Sequence, residues 1–183
     1  VENGQKVIVT KAGDRITVDE ILVAAGRVPN IETLNLQAAG VDVGKEGVLV
    51  NAKLQTTNPK IYAAGAVIGG YQFTHVAGYE GAVAMQNALI FPTKKADYRV
   101  IPWATFTEPD LGRVGLTEEQ ARKRYGDDLM VLRHDFDHVD RALAEGAGIG
   151  FAKFITRKNG DILGAHIVGP AAGELIHEVV FAM

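Results

Sequence analysis

Cysteine is absent from all 183 residues. Thiol–disulfide exchange needs an attacking thiolate and a second sulfur, so this chain alone cannot perform it. Long apolar runs are also missing, because no stretch approaches the roughly 20 residues that a membrane-spanning helix requires. We therefore expect neither disulfides nor a membrane partner.

Excess basic charge is lacking too. Lys and Arg number 19 against 22 Asp and Glu, a net charge of -3, and 47% hydrophobic with 22% charged residues is an ordinary globular composition. The one basic run, residues 122–124, is explained as a solvated helix face, so nucleic acid is not an expected partner. Residues 1–6 lack the features of a signal peptide, which predicts a cytoplasmic protein. They also begin without Met, which suggests a piece of a longer protein.

The first half of the sequence alternates short apolar segments with turns. Residues 7–10 and 15–18 predict a hairpin, and residues 19–25 predict a buried strand. A helical turn is expected at residues 34–39, with Gly40 ending it, and a strand at residues 48–50.

A strand-to-helix junction follows. Residues 61–64 predict a buried strand that stops at Gly65, and Thr74 is placed to cap a helix that continues to Leu89. Gly69 and Gly70 allow close backbone approach in the connection. Alpha/beta proteins use junctions of this kind to bind cofactors that carry phosphate.

The second half predicts an antiparallel sheet with helices on one face. A capping box at Thr117 and Gln120 begins one helix, and Asn159-Gly160 predicts a hairpin turn. The expected strands are 103–106, 130–133, 149–156 and 162–168, and the expected helices are 117–125 and one opening at Ala171 or Ala172.

Four motifs cover nearly the whole chain in order. They are residues 21–30 (ILVAAGRVPN), 59–67 (PKIYAAGAV), 106–118 (FTEPDLGRVGLTE) and 164–178 (GAHIVGPAAGELIHE). Their order and spacing resemble the flavin-dependent pyridine nucleotide-disulfide oxidoreductases, which include dihydrolipoamide dehydrogenase, glutathione reductase and mercuric reductase. Residues 140–142 and 150–153 look most like the mercuric reductase or dihydrolipoamide dehydrogenase branch.

This resemblance implies an α/β fragment followed by an α+β interface domain. Residues 1–30 would end an NAD(P)-binding domain, residues 31–98 would form the C-terminal part of an FAD-binding domain, and residues 99–183 would form a dimerisation domain truncated at its C-terminus. The parent would pass electrons from NAD(P)H through FAD to a Cys pair, to reduce a disulfide or Hg(II). That Cys pair and the flavin-phosphate loop would precede residue 1, so the fragment alone is expected to be inactive.

The resemblance also implies cofactor-binding residues. The position of Ala66 is normally Asp in the family, where the carboxylate contacts the flavin. A hinge salt bridge and a cofactor contact are both open for Arg27, and for residues 73–77 helix initiation with core packing is the alternative to a flavin contact. The expected cofactor-binding residues are Gly26, Gly65, Ala66, Phe73, Thr74, His75 and Ala77, with Ala104, Thr105 and Phe106 on the nicotinamide side.

Other chemistry is weighed and set aside. His75 and Glu80 share the offset of the family's acid–base pair, but no Pro follows His75 and five residues do not place two side chains on one helix face. A metal site in residues 134–140 is disfavoured because a strand would alternate those side chains. We assign no catalytic residue and no metal ligand.

Residues from Val100 onward are expected to form a homodimer. The expected contact is an apolar face of the last helix that includes Leu175, Ile176, Val179 and Val180. A homodimerisation module without cofactor is the alternative function.

Overall fold

The computed structural model describes residues 4–183. The first three residues belong to the segment on which the cytoplasmic prediction rests, and they lie outside the described residues. The chain divides into two compact units, Val1–Ala84 and Met85–Met183, which are considered separately below. Within the described part, no helix is long and apolar enough to cross a membrane.

The first unit opens with the predicted hairpin. Strands β1 (Lys6–Val9) and β2 (Arg15–Val18) pair antiparallel. The turn closes where the amide of Thr10 donates to the carbonyl of Asp14 over 3.0 Å. The prediction for residues 7–10 and 15–18 is confirmed, apart from a shift of one residue in the first strand.

The predicted buried strand at residues 19–25 is wrong. This segment has no regular structure, and Leu22 and Val23 are 92% and 80% exposed. A strand buried on both faces needs neighbours in a sheet. In this unit the described strands are β1 and β2, which pair only with each other, so the apolar segment has no sheet to join.

Residues 35–70 form an irregular segment with a small core. Turns in which each amide donates to the carbonyl three residues before it occupy residues 35–40, as predicted, and Gly40 has a φ of +66°. Residues 48–50 and 61–64 make only isolated bridges instead of the predicted strands: Val48 with Val43, Val50 with Thr56, and Tyr62 with Gln55. The buried apolar side chains of this unit include Val41, Val48, Leu54 and Val76.

A short 3-10 helix, Gly65–Ile68, and helix α1, Thr74–Leu89, follow this segment. The helix predicted to end at Leu89 is thereby confirmed. The 3-10 helix replaces part of the loop that was expected between Gly65 and Thr74.

The second unit is built on a five-stranded antiparallel sheet, as predicted. Its order is β3-β4-β7-β6-β5, with helices α2 (Glu118–Tyr125), α3 (Asp140–Ala144) and α4 (Ala172–Ala182). The strands are β3 (Trp103–Thr105), β4 (Asp110–Gly115), β5 (Leu129–Asp135), β6 (Phe151–Arg157) and β7 (Ile162–Gly169).

Helix α4 packs on one face of this sheet. The core there combines Val114, Ala165 and Ile167 of the sheet with Ile176 and Val179 of the helix. At 1% and 5% exposed, Ile176 and Val179 face their own sheet, so their predicted role in a dimer contact is wrong. Helical spacing identifies an apolar face without saying what covers it.

Close approach of α4 depends on a glycine in β4. A Cβ built on Gly112 would lie 2.2 Å from the carbonyl oxygen of Ala172. Any larger residue at this position would push the first turn of α4 off the sheet.

Helix α2 contacts the other face. Lys153 lies directly opposite His166 in the β6–β7 ladder, so their side chains share a face of the sheet. Ala165 precedes His166 in the strand and packs beneath α4. Because side chains alternate along a strand, Lys153 is on the face away from α4. The Nζ atom of Lys153 lies 2.6 Å from a carboxylate oxygen of Glu118 in α2. The helices therefore use both faces, whereas one face was predicted.

In the second unit, some predictions from short sequence signals are confirmed and others are wrong. The capping box at Thr117 and Gln120 is present in full, and the hairpin turn at residues 159–160 joins β6 to β7. Strand β4 was not predicted, because its sequence is rich in glycine. Residues 134–140 are not one strand, since β5 ends at Asp135 and a 3-10 helix, Phe136–His138, follows.

Candidate functional site

The junction at Gly65 depends on close contact with α1. Gly65 is buried with a φ of +81°, a conformation that residues with a side chain rarely adopt. A Cβ on Gly65 would lie 3.1 Å from the Cβ of Ala77. Two predicted site residues from different elements are thus in contact, and Gly65 has little room for a side chain.

Glu80 holds this junction in place, and sequence reasoning missed it. Its side chain is 2% exposed, and its Oε2 atom accepts a hydrogen bond of 2.6 Å from the amide of Gly65. A buried carboxylate is stabilised by such donors. The signal that was available is a glutamate on the apolar side of a helix rich in alanine and glycine. His75, by contrast, is exposed, so the two side chains do not form an acid–base pair.

The N-cap of helix α1 lies one residue before the predicted one. The amide of Ala77 donates to the carbonyl of Phe73 over 3.0 Å, so Phe73 is the N-cap and Thr74 the first helical residue. The prediction of Thr74 as N-cap is wrong by that one position, because Thr also fits the first turn. The amides of residues 74–76 precede the first intrahelical bond.

Aromatic rings line the approach to this helix. The rings of Phe73 and His75 stack with centroids 5.6 Å apart and planes 12° apart. Tyr71 stacks on Phe73 at 6.4 Å. Tyr71 is a further candidate cofactor-binding residue, which the four motifs do not include.

The segment at Gly26 contacts the loop that precedes α1. Arg27 donates from Nη1 to the carbonyl of Gln72 over 3.1 Å, and Gly26 turns with a φ of +101°. A hinge salt bridge and a cofactor contact both stay predictions for Arg27, beside this backbone hydrogen bond. It links the first motif to the start of α1.

Ala66 is exposed at the start of the 3-10 helix. Its carbonyl accepts from the amide of Gly69 over 3.2 Å, while its methyl group offers no acceptor to a ligand. An alanine therefore leaves a surface position beside Gly65 where a carboxylate would be accessible.

The remaining predicted residues belong to the second unit. Ala104 and Thr105 lie in β3, and Phe106 follows the strand with 87% of its surface exposed. A Cβ on Gly173 would lie 3.1 Å from that of Ala104, so Ala104 packs against the first turn of α4. Thr105 and Phe106 are the accessible members of this group.

No metal centre is evident in the part of the chain that the structure describes. Groups of three or more His, Asp or Glu side chains that could hold a metal ion do not occur among residues 4–183. His134 and His138 have ring centroids 6.2 Å apart, with planes tilted by 52°.

Comparison with known families matches both units. The sequence model described as "Pyridine nucleotide-disulphide oxidoreductase" matches residues 1–81, and that described as "Pyridine nucleotide-disulphide oxidoreductase, dimerisation domain" matches residues 101–183. The chain belongs to the pyridine nucleotide-disulphide oxidoreductase family. The resemblance deduced from the four motifs is confirmed.

Two curated relatives belong to the family branches that the sequence resembles. A mercuric reductase of Staphylococcus aureus is 44% identical over 183 residues, covering 99% of this chain and 32% of that protein. A dihydrolipoyl dehydrogenase of Bacillus subtilis (strain 168) is 35% identical over 187 residues, covering 100% of this chain and 40% of that protein. The chain thus spans about a third to two fifths of the length of these relatives.

Solved structures agree with the fold. The HOCl-induced flavoprotein disulfide reductase RclA from Escherichia coli superposes with a TM-score of 0.83 at 30% identity, covering 100% of this chain and 42% of that one. LpdA from Mycobacterium tuberculosis gives a TM-score of 0.86 at 26% identity over 96% of this chain and 39% of that one. The predicted fold class, with its antiparallel interface sheet, is confirmed.

The Glu80 contact generates a testable prediction. Glu80→Ala leaves the buried amide of Gly65 without an acceptor, so we expect a loss of about 1–3 kcal/mol in unfolding free energy. Glu80→Gln retains an amide oxygen and should lose less. Urea denaturation and the hydrogen exchange of the Gly65 amide measure both effects. Glu119→Ala, an exposed change in α2, is the control, and equal losses in the Ala and Gln variants would contradict the assignment.

Proposed function

We propose that the chain is part of an FAD-dependent NAD(P)H oxidoreductase that reduces a disulfide or Hg(II). The observation that carries this proposal is the junction at Gly65. A buried glycine is fixed against Ala77 and Glu80, and the start of the 16-residue helix α1 lies within the same unit. Family membership and the names of the relatives support the reaction class.

Several features of the junction fit a flavin. Thr74 and His75 are exposed at the N-terminus of α1, where free amides and the helix dipole favour a negative charge by roughly 0.3–1 kcal/mol. The ring of Phe73 supplies an apolar surface, and the exposed Ala66 gives room without supplying an acceptor. When bound, FAD would carry electrons from the nicotinamide to the substrate.

The chain's own residues have positioning roles in this proposal. Gly65 and Ala77 allow close backbone approach, and Glu80 fixes the turn. Phe73, Thr74 and His75 border the flavin, and Gly26 begins the segment, residues 26–30, that crosses from the NAD(P)-binding domain to the FAD-binding domain. In the second unit, Ala104, Thr105 and Phe106 are assigned to the nicotinamide side.

The domain division of the intact protein follows from the same proposal. Residues 1–30 end the NAD(P)-binding domain, residues 31–98 belong to the FAD-binding domain, and residues 99–183 to the dimerisation domain. The Cys pair that would receive the electrons lies outside this chain, which has no cysteine. A cytoplasmic location stays a prediction of the sequence.

A homodimerisation module without cofactor is the second candidate. The match of residues 101–183 to the family's dimerisation domain favours it. Visible absorbance separates the two candidates, because a chain that retains flavin is yellow and a module without cofactor is colourless.

We predict that the 183-residue chain alone does not oxidise NAD(P)H with lipoamide, glutathione disulfide or Hg(II) as acceptor. Without cysteine it has no thiolate to attack a disulfide or bind the metal ion. Loss of NAD(P)H absorbance measures turnover. A rate above that of a sample without protein would contradict the prediction.

We predict a homodimer through residues from Val100 onward. In α4, Leu175 and Phe181 are 44% and 89% exposed, and burying them between copies would stabilise the pair. Light scattering at tens of micromolar, a concentration on the order of the dissociation constant of a moderate interface, should report a dimer. Phe181→Ser should favour the monomer, whereas Phe91→Ser, at a Phe that is 69% exposed outside this segment, should not. A wild-type monomer at this concentration would rule the interface out.

We predict that Ala66→Asp in the intact parent protein tightens flavin binding. The new carboxylate would accept from a flavin hydroxyl, and a hydrogen bond to a charged group is worth roughly 1.5–3 kcal/mol, or about tenfold to a hundredfold in Kd. Repulsion from the flavin phosphates opposes this gain if the carboxylate meets them directly. Titration of apo-protein with FAD measures the change, and Ala66→Asn controls for size. Equal or weaker affinity in the Asp variant would mean that the junction does not hold the ribityl chain.

A further inference from the structure

One row of residues crosses all five strands of the interface sheet. Trp103 of β3 lies opposite Arg113 of β4, Arg113 opposite His166 of β7, His166 opposite Lys153 of β6, and Lys153 opposite Arg133 of β5. Directly opposite residues in antiparallel strands share a face. Three cations and an imidazole therefore stand side by side on the face away from α4.

Two of these cations have carboxylate partners. Lys153 pairs with Glu118 at 2.6 Å, and Arg133 pairs with Asp135 at 2.7 Å. These contacts lower the pKa of both carboxyl groups, through Lys153 first and Arg122 second for Glu118, and through Arg133 for Asp135. Among residues 4–183, no carboxylate lies within ion-pair distance of Arg113, so its charge is not balanced.

Two buried nitrogen atoms in the centre of the row have no hydrogen-bond partner. They are Nε of Arg113 and Nε2 of His166, which belong to neighbouring, directly paired residues. Leaving buried polar groups unsatisfied costs free energy, so native proteins rarely do so.

The surroundings of His166 repel positive charge. Burial, followed by the charges of Arg113 and Lys153, lowers the pKa of His166 to about 4. The ring is therefore neutral near neutral pH, and it carries one proton that Nε2 can hold. With the proton there, Nε2 and the Nε of Arg113 are both donors beside an unbalanced positive charge.

Trp103 orients the guanidinium of Arg113. The Cζ atom of Arg113 lies 4.3 Å from the centre of the Trp103 ring. Stacking of this kind uses the face of the guanidinium and leaves its N–H groups in their plane. A planar acceptor with two oxygens matches such a fork.

We propose that Arg113 and His166 form a carboxylate-binding site on this face of the interface sheet. One carboxylate oxygen accepts from Nε of Arg113 and the other from Nε2 of His166, and the negative charge balances Arg113. Both atoms are buried but their side chains are only half-buried, so the carboxylate enters where these two side chains move apart. A free small carboxylate and an acidic side chain of a second copy of this chain present the same chemistry.

Nuclear magnetic resonance of the His166 ring in the 183-residue chain tests the site. The probe is trifluoroacetate, which stays ionised during an acid titration, against chloride at equal ionic strength. The carboxylate should hold the Nε2–H tautomer near neutral pH and raise the pKa of His166 by about one unit, because it offsets the neighbouring positive charges. The signal is assigned by its loss in His166→Gln.

Two matched variants separate the site from the general charge of the row. Arg113→Gln should weaken trifluoroacetate binding at least about tenfold, since it removes one charged hydrogen bond. Arg133→Gln changes the same residue type in the same row, but at a cation already paired with Asp135, and should leave binding unchanged. Arg113→Lys keeps the charge without the stacked fork and should bind more weakly than the wild type.

The outcomes distinguish a free carboxylate from a carboxylate side chain of a second copy. A shift with trifluoroacetate that Arg113→Gln removes supports a site for a free carboxylate. A shift that follows protein concentration without added anion, and that Arg113→Gln also removes, supports a carboxylate from a second copy. Equal shifts with chloride and trifluoroacetate, or equal behaviour of the two Gln variants, would overturn the proposal. If Arg113→Gln does not fold, the wild-type comparison of the two anions and of protein concentrations decides alone.

Discussion

The first unit depends on the hydrogen bond from the amide of Gly65 to the carboxylate of Glu80. Its 2.6 Å length and the burial of Glu80 make it a strong contact in a region with little regular structure. It joins the end of an irregular segment to the second turn of α1, next to the first turn, where Ala77 already touches Gly65. The placement of the exposed helix start follows from this contact, because the turn has no ladder of strands to hold it.

The second unit depends on a different constraint, the register of its antiparallel sheet. Register decides which side chains share a face. It places Ala165 and Ile167 beneath α4, and it places Arg113, His166 and Lys153 together on the opposite face. The same alternation that builds the hydrophobic core thus gathers three cations and an imidazole from four separate strands into one row.

Local features were predictable where a short stretch of sequence contains the whole interaction. The hairpin of β1 and β2, the capping box at Thr117 and the turn at Asn159-Gly160 are of this kind. Prediction failed where the outcome depends on distant partners. Residues 19–25 have the composition of a buried strand, yet no strand among the described residues pairs with them, and the apolar face of α4 was assigned to a second copy although Ile176 and Val179 cover their own sheet.

The sequence by itself determined the family, because four motifs in fixed order are a property of the chain and need no coordinates. It also determined the lack of thiol chemistry, since no arrangement of 183 residues without cysteine supplies a thiolate. Only the tertiary structure decided that Glu80 belongs to the junction and that Arg113 and His166 adjoin. Glu80 lies 15 residues from Gly65 along the chain. Arg113 and His166 lie on strands that are neighbours in the sheet but have β5 and β6 between them in the sequence. Folding and strand register bring them into contact, and neither can be read from the spacing of residues along the chain.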